Sequence, residues 1–323
     1  MPDELTDFPA SHGLGAWLRR VFTVSGATLL SRVLGLARDS LTAVTLGIGP
    51  AANAFLFAFT VPNLFRRLLG EGALGSSLLP VLAEEWETGG KPTAFRLVNQ
   101  AITRGGLLML VAGVGLALVY GVGLLFVEQG ESALREQWDL GMRLGLFLVP
   151  YLWLVCLAAV FAAALNVAGR FAIPALTAVW LNLAMGGTLA VGGLALGWLP
   201  ETLVWWLALA TLAGGVAQLA VPMVALARMG WRPAFDWTPS PGIARVVRLF
   251  VPALGSAAVD QINVLVARVA AFLLNTQALT ALYLANRLVE LPLGLFSTAI
   301  ATVAFPEMSR AEARGSPAQA QAA

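Results

Sequence analysis

Three charged side chains interrupt the first long apolar stretch of the chain. In the run SRVLGLARDS, Arg32, Arg38 and Asp39 are flanked by apolar residues over 21–30 and 41–48. A charge at the bilayer centre costs roughly 2.5–3.5 kcal/mol on insertion scales, so such side chains usually face a polar cavity inside a helix bundle. The run therefore predicts a membrane protein that handles a polar compound, and the arginines favour an anionic one.

The spacing of these charges predicts how they are arranged on a helix. Arg32 and Asp39 are seven residues apart and share one face two turns apart, whereas Arg38 points about 120° away from it. We expect that face to pair a charge with its counter-ion while Arg38 reaches elsewhere. Ion pairs that only fix helix packing are the alternative.

A second group of polar residues follows Pro62 in the next apolar stretch. Asn63, Arg66 and Arg67 are spaced i, i+3, i+4. Arg67 can pair with Glu71 four residues later, which would leave Arg66 as the freer cation. Snorkelling of both arginines to the lipid interface is the alternative.

A third group lies near the end of the chain. Arg287 and Glu290 are spaced i, i+3 beside Asn286, with apolar sequence on both sides. In the preceding stretch, Asp260 and Asn263 have the spacing of an inter-helix hydrogen-bonding pair, for which a packing role is the default.

The surplus of arginine indicates the class of substrate. The candidate cavity cations are Arg32, Arg38, Arg66 and Arg287, and the candidate acids are Asp39 and Glu290. Because the planar guanidinium fork suits phosphate and stays charged at any working pH, this surplus favours a phosphate-bearing substrate. A proton-coupled drug pump would be expected to keep an unpaired carboxylate. The sequence has no GxxxxGK[ST] motif and no Ser/His/Asp or metal-ligand constellation, so we expect no ATP use, catalysis, cofactor or metal.

Composition supports a polytopic membrane protein. The chain has 323 residues, of which 58% are hydrophobic and 12% charged, whereas soluble domains have roughly 45–50% apolar and about 25% charged residues. The single cysteine, Cys156, excludes an intrachain disulfide, and the single histidine, His12, is expected in a solvated tail. All 20 basic residues except Lys91 are arginines. Most lie at predicted helix ends, so the basic charge indicates topology and not nucleic-acid binding.

Eight apolar segments are long enough to cross the roughly 30 Å of a bilayer. They are 21–48, 52–82, 101–127, 140–166, 172–198, 203–228, 245–274 and 277–306. The second contains Pro62 and the run GEGALGSS at 70–77, where we expect a break. The loops at 47–52, 128–139 and 275–280 lack a basic excess, so both termini and the basic loops are predicted to be cytoplasmic.

A faint internal repeat suggests the plan of the fold. LLPVLAEE at 78–85 resembles VAFPEMSR at 303–310, and VSGATLLSR at 24–32 resembles PALGSAAVD at 252–260. Helices 1 and 2 would then correspond to helices 7 and 8. Two parallel repeats are a known transporter plan, and the chain would stop two helices into its second unit. Chance similarity between Ala/Leu-rich helices is the alternative.

Longer motifs resemble a known family. The run SRVLGLARDSLTAVTLGIGPAANAFLFAFTVPNLFRRLLGEGALGSSLLPVLAEE closely resembles the MurJ (MviN) family of lipid II flippases. NVAGRFAIPA at 166–175, LN at 181–182 and YLANRLVELPLGLF at 283–296 are similar to that family in the same order. The resemblance covers about residues 20–310.

The resemblance implies an all-α fold of the multidrug/oligosaccharidyl-lipid/polysaccharide exporter (MOP) type. After a cytoplasmic tail at 1–20, we expect a six-helix N-lobe at 21–230 and a cytoplasmic linker at 231–244. The first two helices of a C-lobe would occupy 245–310, and a low-complexity tail 311–323. Family members run well beyond this point, so the chain is expected to lack the rest of the C-lobe.

The resemblance also implies a function. Family members move the undecaprenyl-pyrophosphate-linked peptidoglycan precursor, lipid II, from the inner to the outer leaflet of the bacterial cytoplasmic membrane. By motif, their essential cavity arginines fall on Arg32, Arg38, Arg66 and Arg287, with Asp39 and Glu290 as acidic partners and Asn63 beside them. Membrane lipids and cell-wall synthesis or division proteins are the expected partners.

Three positions depart from the family pattern, and two other functions stay open. Asn53 and Asn286 stand where many members have an acid, and Ala267 stands where some have an acid linked to a sodium site. Sodium coupling is therefore not implied. The alternatives are an exporter of another polyprenyl-linked oligosaccharide and a truncated, non-transporting membrane scaffold.

Overall fold

The computed structural model describes residues 14–126 and 132–290, and every regular element within them is helical. The α-helices are α1 (Leu14–Leu46), α2 (Pro50–Phe65), α3 (Leu74–Leu125), α4 (Ser132–Val167), α5 (Ala172–Ala175), α6 (Thr177–Thr188), α7 (Pro200–Ala227), α8 (Pro241–Leu274) and α9 (278–290). Five helical stretches of the described chain are long and apolar enough to cross a membrane: Leu74–Leu125, Leu134–Val167, Ala172–Ala195, Pro200–Ala227 and Pro241–Leu274. The predicted all-α membrane architecture is confirmed, whereas the count of eight spans stays a prediction.

The helix that begins with α2 changes its winding halfway along. Pro62 lies inside α2 and removes a backbone donor, and the stretch Arg66–Ala73 then widens into a π-helix before α3 begins. The break predicted at 70–77 overlaps this stretch. Because π-turns often occur at functional sites, the distorted turn that carries Arg66 is a candidate site element.

Helix α3 is two helices that meet at Gly90. There the backbone has φ +71° and ψ −168°, and glycine adopts a positive φ without the steric cost of a side chain. Pro92 follows inside the next turn, where a missing backbone donor costs little. The part of α3 before Gly90 therefore contains the end of the predicted segment 52–82, and the part after Gly90 contains most of the predicted segment 101–127.

Helix α4 lies at the centre of the bundle and packs against α2, α3 and α7. Helix α6 packs between α1 and α7, and α8 lies against α2 and α3. One buried apolar cluster includes Phe55, Leu148, Tyr151, Leu152 and Leu207. A second includes Leu78, Leu82, Val98, Leu165 and Leu226. The two clusters fill the space around α4, so this helix is the scaffold against which the others are placed.

Small residues let α6 and α7 approach closely. A Cβ added at Gly214 of α7 would lie 2.9 Å from the Cα of Leu181 on α6. Since lipid is as apolar as a protein core, close packing of this kind holds membrane helices together. The contact fixes the position of Asn182, which follows Leu181 on α6.

The second half of α3 presents an apolar face outward. Leu110, Val111, Leu118, Val119 and Leu125 are all more than half exposed. A soluble protein rarely exposes so large a contiguous apolar patch. We therefore assign this face to lipid.

An extended strap connects α7 to α8 and lies along one face of α3. Arg96 Nε is 3.1 Å from Asp236 Oδ2, and Arg104 Nη2 donates to the carbonyls of Trp237 and Thr238 at 2.8 and 3.0 Å. Residues at i and i+8 of α3 therefore hold the strap on one helix face. This segment falls in the predicted linker, and its contacts fix where α8 begins.

Acid is expected to loosen this strap. The Thr238 hydroxyl, followed by the Thr238 amide and Arg96, lowers the pKa of Asp236 to about 2. A carboxyl with a depressed pKa in the folded state contributes stability above its unfolded pKa near 4 and loses it as the pH falls through about 2. The Thr238 amide donates to Asp236 Oδ1 at 2.9 Å. Its hydrogen exchange, relative to the intrinsic rate, should accelerate between pH 5 and pH 2.5.

The variant Asp236→Asn provides the control for this titration. Its exchange at the Thr238 amide should already be fast at pH 5 and should lack the additional acid step. An acid step of equal size in the variant would show that another group causes it.

Candidate functional site

Arg38 and Asp39 form a buried ion pair on α1. Arg38 Nε and Nη2 donate to Asp39 Oδ1 at 3.0 and 2.6 Å, and the two side chains are 10% and 6% exposed. The expected geometry was wrong in one respect, because the flexible stem of Arg38 lets its guanidinium return to Asp39. Arg32 lies exposed on the same helix. A buried charge left without any partner costs about 3–5 kcal/mol, so both of these side chains need a counter-ion in the bundle.

Helix α6 orients the guanidinium of Arg38. Arg38 Nη1 donates to Asn182 Oδ1 at 3.0 Å, while Asn182 Nδ2 donates to the carbonyl of Ser31 at 3.1 Å. Both ends of the amide are thus used, and α1 is tied to α6 at the level of the ion pair. Sequence reasoning noted the LN at 181–182 only as a family motif and did not place Asn182 in the site.

Asp39 also joins α1 to α9. The Tyr283 hydroxyl donates to Asp39 Oδ1 at 2.7 Å. Arg287 Nε lies 2.7 Å from Asp39 Oδ2, as an ion pair and not as an aligned hydrogen bond. Arg287 Nη1 in turn donates to Glu290 Oε2 at 2.7 Å. Four of the predicted site residues, Arg38, Asp39, Arg287 and Glu290, therefore form one cluster.

Tyr283 is the member of this cluster that sequence reasoning missed. It lies four residues before Arg287, and the guanidinium of Arg287 is 5.4 Å from the centre of its ring. Arg268 of α8 lies 5.8 Å from the centre of the same ring. Such distances are typical of cation–π contacts. The i, i+4 spacing of Tyr283 and Arg287 was the available signal.

Arg66, another of the predicted site residues, is part of the wall of a cavity. Its Nε donates to Asn63 Oδ1 at 3.1 Å, so these two predicted residues contact each other. Arg66 lines a cavity of about 630 Å³ with Gln218, whose side chain accepts a hydrogen bond from the Tyr151 hydroxyl at 3.1 Å. Tyr151 itself is fully buried in the apolar cluster around α4, so it links the cavity wall to the core of the bundle.

An uncharged network holds the ends of four helices together. Asn53 is fully buried; its Nδ2 donates to Gln137 Oε1 and to the carbonyl of Asn275 at 3.2 and 3.1 Å. Its Oδ1 accepts from the amide and hydroxyl of Thr280 at 2.8 and 2.6 Å. Gln137 also donates to the Phe272 carbonyl at 3.0 Å. The start of α2, the start of α4 and the turn between α8 and α9 are thus tied at one end of the bundle.

Other predicted contacts have different outcomes. Asp260 and Asn263 are both exposed on α8, so the proposed inter-helix pair is not formed within the described part of the chain. The side chain of Glu71, the predicted partner of Arg67, lies outside the described residues. Among the residues that the structure describes, no group of three or more His, Cys, Asp or Glu side chains could hold a metal ion.

The chain matches one protein family over most of its length. The model of the family described as lipid II flippase MurJ matches residues 42–323, a stretch that begins just after Asp39. The probable lipid II flippase MurJ of Haemophilus influenzae is 37% identical over 295 residues, which are 88% of this chain and 56% of that protein. The probable lipid II flippase MurJ of Vibrio cholerae is 34% identical over 91% of this chain and 57% of that protein. The lipid II flippase MurJ of Burkholderia cenocepacia is 32% identical over 91% and 57%. The chain therefore spans a little over half the length of these curated relatives.

Solved structures share the fold. A structure of lipid II flippase MurJ in an inward closed conformation aligns with a TM-score of 0.72 and 23% identity, over 89% of this chain and 58% of that chain. An outward-facing multidrug resistance MATE family transporter of the MOP superfamily aligns with a TM-score of 0.62 and 15% identity, over 94% and 66%. At these identities the likeness concerns the fold alone. The predicted MOP-type architecture is thereby confirmed, and the match over residues 42–323 shows that this chain belongs to the lipid II flippase MurJ family.

Proposed function

We propose that this protein is a lipid II flippase in which Arg38 and Arg287 bind the pyrophosphate of the lipid-linked substrate. The observation that carries the proposal is the position of Asp39, which contacts a guanidinium from α1 and another from α9. Two arginines held on one carboxylate form a preorganised anion site. The planar donor fork of arginine matches phosphate oxygens.

In this mechanism the substrate replaces Asp39 as the counter-ion. A pyrophosphate that links a lipid to a sugar carries more negative charge and more acceptor oxygens than one carboxylate, so it competes for both arginines. Asn182 keeps Arg38 oriented while its ion pair is exchanged. Release of Asp39 from Arg287 would remove an ionic contact between α1 and α9 and allow these helices to separate.

The network around Asn53 supplies the second half of an alternating-access cycle. It ties α2 to the turn between α8 and α9 through uncharged hydrogen bonds. We place this end on the outer side of the cytoplasmic membrane, with the N-terminus cytoplasmic, because the loops that meet there lack a basic excess. The proposed cycle loads lipid II from the inner side, opens the Asn53 end and then releases the lipid to the outer leaflet.

The cavity beside Arg66 is the proposed place for the rest of the headgroup. Its wall combines one arginine with the amides Asn166 and Gln218 and with several small apolar residues. Such a lining provides hydrogen-bond partners for an uncharged sugar without a second strong anion site. The exposed Arg32 is proposed as a contact at the entrance.

Lipid binding in nanodiscs tests this function against its alternatives. The purified chain would be exposed to lipid II, to an undecaprenyl-pyrophosphate carrying another sugar, and to undecaprenol, with bound lipid measured by native mass spectrometry. We expect preferential binding of lipid II. Equal binding of the two pyrophosphate lipids would instead favour a general polyprenyl-linked oligosaccharide exporter. If neither pyrophosphate lipid binds more than undecaprenol does, the result would favour a non-transporting scaffold.

A further inference from the structure

Arg268 is a half-buried arginine of α8 to which neither the sequence patterns nor the family resemblance assigned a role. We propose that Arg268 is a third phosphate ligand, which makes the site prefer a diphosphate to a monophosphate. The inference rests on the proposed function, since it concerns the same anion site. It adds to that function an assignment of the two phosphoryl groups: Arg38 and Arg287 hold one, and Arg268 holds the other.

The position of Arg268 places it in this site. Its guanidinium and that of Arg287 lie 5.8 and 5.4 Å from the centre of the Tyr283 ring, and the hydroxyl of that ring bonds Asp39. Tyr283 therefore contacts both arginines and the central carboxylate. An anion that displaced Asp39 from Arg287 would come within reach of the long, flexible side chain of Arg268.

The positive charge of Arg268 is balanced less closely by neighbouring carboxylates than the charges of Arg38 and Arg287. Arg38 and Arg287 each contact a carboxylate. Among the described residues, no carboxylate oxygen lies within 4 Å of the Arg268 guanidinium. Its polar contact is the Thr60 hydroxyl at 3.4 Å, a long hydrogen bond to a group that already donates to the Leu56 carbonyl at 2.6 Å.

The surrounding charges favour an additional anion. Arg67 and Arg287 add positive charge near Arg268, and the nearby acid Glu290 is already bonded to Arg287. This region therefore has three guanidinium groups, those of Arg38, Arg268 and Arg287, but two carboxylates, those of Asp39 and Glu290. A half-buried arginine with this little compensation gains most from a phosphate, because its donors have few other strong acceptors.

Binding of short prenyl phosphates tests the inference. Farnesyl pyrophosphate and farnesyl monophosphate would be titrated into the purified chain in detergent, for the wild type and for the Arg268→Gln, Arg268→Lys, Arg287→Gln and Arg143→Gln variants. Arg143 is the matched control, because it is an exposed arginine paired with Asp139 in the first half of α4. Size-exclusion profiles establish that each variant is folded.

We expect Arg268→Gln to weaken farnesyl pyrophosphate binding by about tenfold to hundredfold and to leave monophosphate binding almost unchanged. Arg268→Lys should retain part of the preference and serves as the folded variant if glutamine disrupts the bundle. Arg287→Gln should weaken the binding of both ligands, and Arg143→Gln should change the binding of neither.

Two results would overturn the inference, and they are distinguishable. If Arg287→Gln weakens both ligands while Arg268→Gln leaves the diphosphate preference intact, Arg268 is not a ligand and the proposed function stands. If neither Arg287→Gln nor Arg268→Gln changes binding, the anion site itself is wrong and both proposals fall. Equal weakening of both ligands by Arg268→Gln would assign Arg268 to general electrostatic attraction and would also contradict the inference.

Discussion

Replacing Arg38 by alanine is expected to remove high-affinity lipid II binding while the helical bundle stays folded. The variant loses at least two charge-assisted hydrogen bonds to phosphate, each worth about 1.5–3 kcal/mol, so the Kd should rise by roughly two orders of magnitude or more. Folding should survive because Asp39 keeps Tyr283 and Arg287 as partners. Asn182 likewise keeps its bond to the Ser31 carbonyl.

The measurement is lipid II binding in nanodiscs, with thermal unfolding followed on the same samples. Arg143→Ala is the matched control, since it removes an arginine of an exposed i, i+4 ion pair on α4 and such pairs contribute little. If Arg38→Ala lowers the unfolding temperature but binds lipid II as tightly as the wild type, Arg38 is a packing residue and the proposed mechanism is wrong.

Replacing Asn53 by aspartate is expected to open the end of the bundle that Asn53 now closes. Asn53 donates to two acceptors, Gln137 Oε1 and the Asn275 carbonyl, and accepts twice from Thr280. An ionised aspartate could still accept but could not donate, so a fully buried anion would face two oxygen atoms. Leaving buried groups unsatisfied costs about 1–3 kcal/mol each and more for a charged group. That cost is sufficient to shift a conformational equilibrium of a few kcal/mol.

Thiol accessibility reports this opening. Ala52 is fully buried beside Asn53, and Cys156 is the single native cysteine, so Ala52→Cys in a Cys156→Ala background gives one reporter. A membrane-impermeant thiosulfonate should react slowly with the reporter alone and at least about tenfold faster when Asn53→Asp is added. At lower pH the protonated carboxyl can donate one bond, so the effect should diminish.

Asn263→Asp is the matched control for the same chemical change, because Asn263 is exposed on α8. It should leave the reactivity of the reporter unchanged. Equal reactivity of the Asn53→Asp protein and its parent would mean that the amide network does not keep this end closed.

The sequence alone determined the class of the protein and most members of its charged cluster. Continuous apolar segments of about 20 residues cross a membrane as helices, because a helix satisfies its backbone groups within its own segment. The cost of a charge at bilayer depth singled out six residues: Arg32, Arg38, Asp39, Arg66, Arg287 and Glu290. The structure places four of them, Arg38, Asp39, Arg287 and Glu290, in one cluster. Family motifs added the fold, because they combine residue identity with order along the chain.

Only the tertiary structure decided which of these charges share partners. Helix periodicity gives the face from which a side chain leaves, but arginine has a long flexible stem, so the face did not predict that Arg38 returns to Asp39. The contacts of Asp39 with Tyr283 and of Asn53 with Thr280 join residues 244 and 227 positions apart. No local pattern encodes such pairs, because they depend on how α1, α2 and α9 pack. The same packing assembles Tyr283, Arg268 and Asn182 around the ion pair.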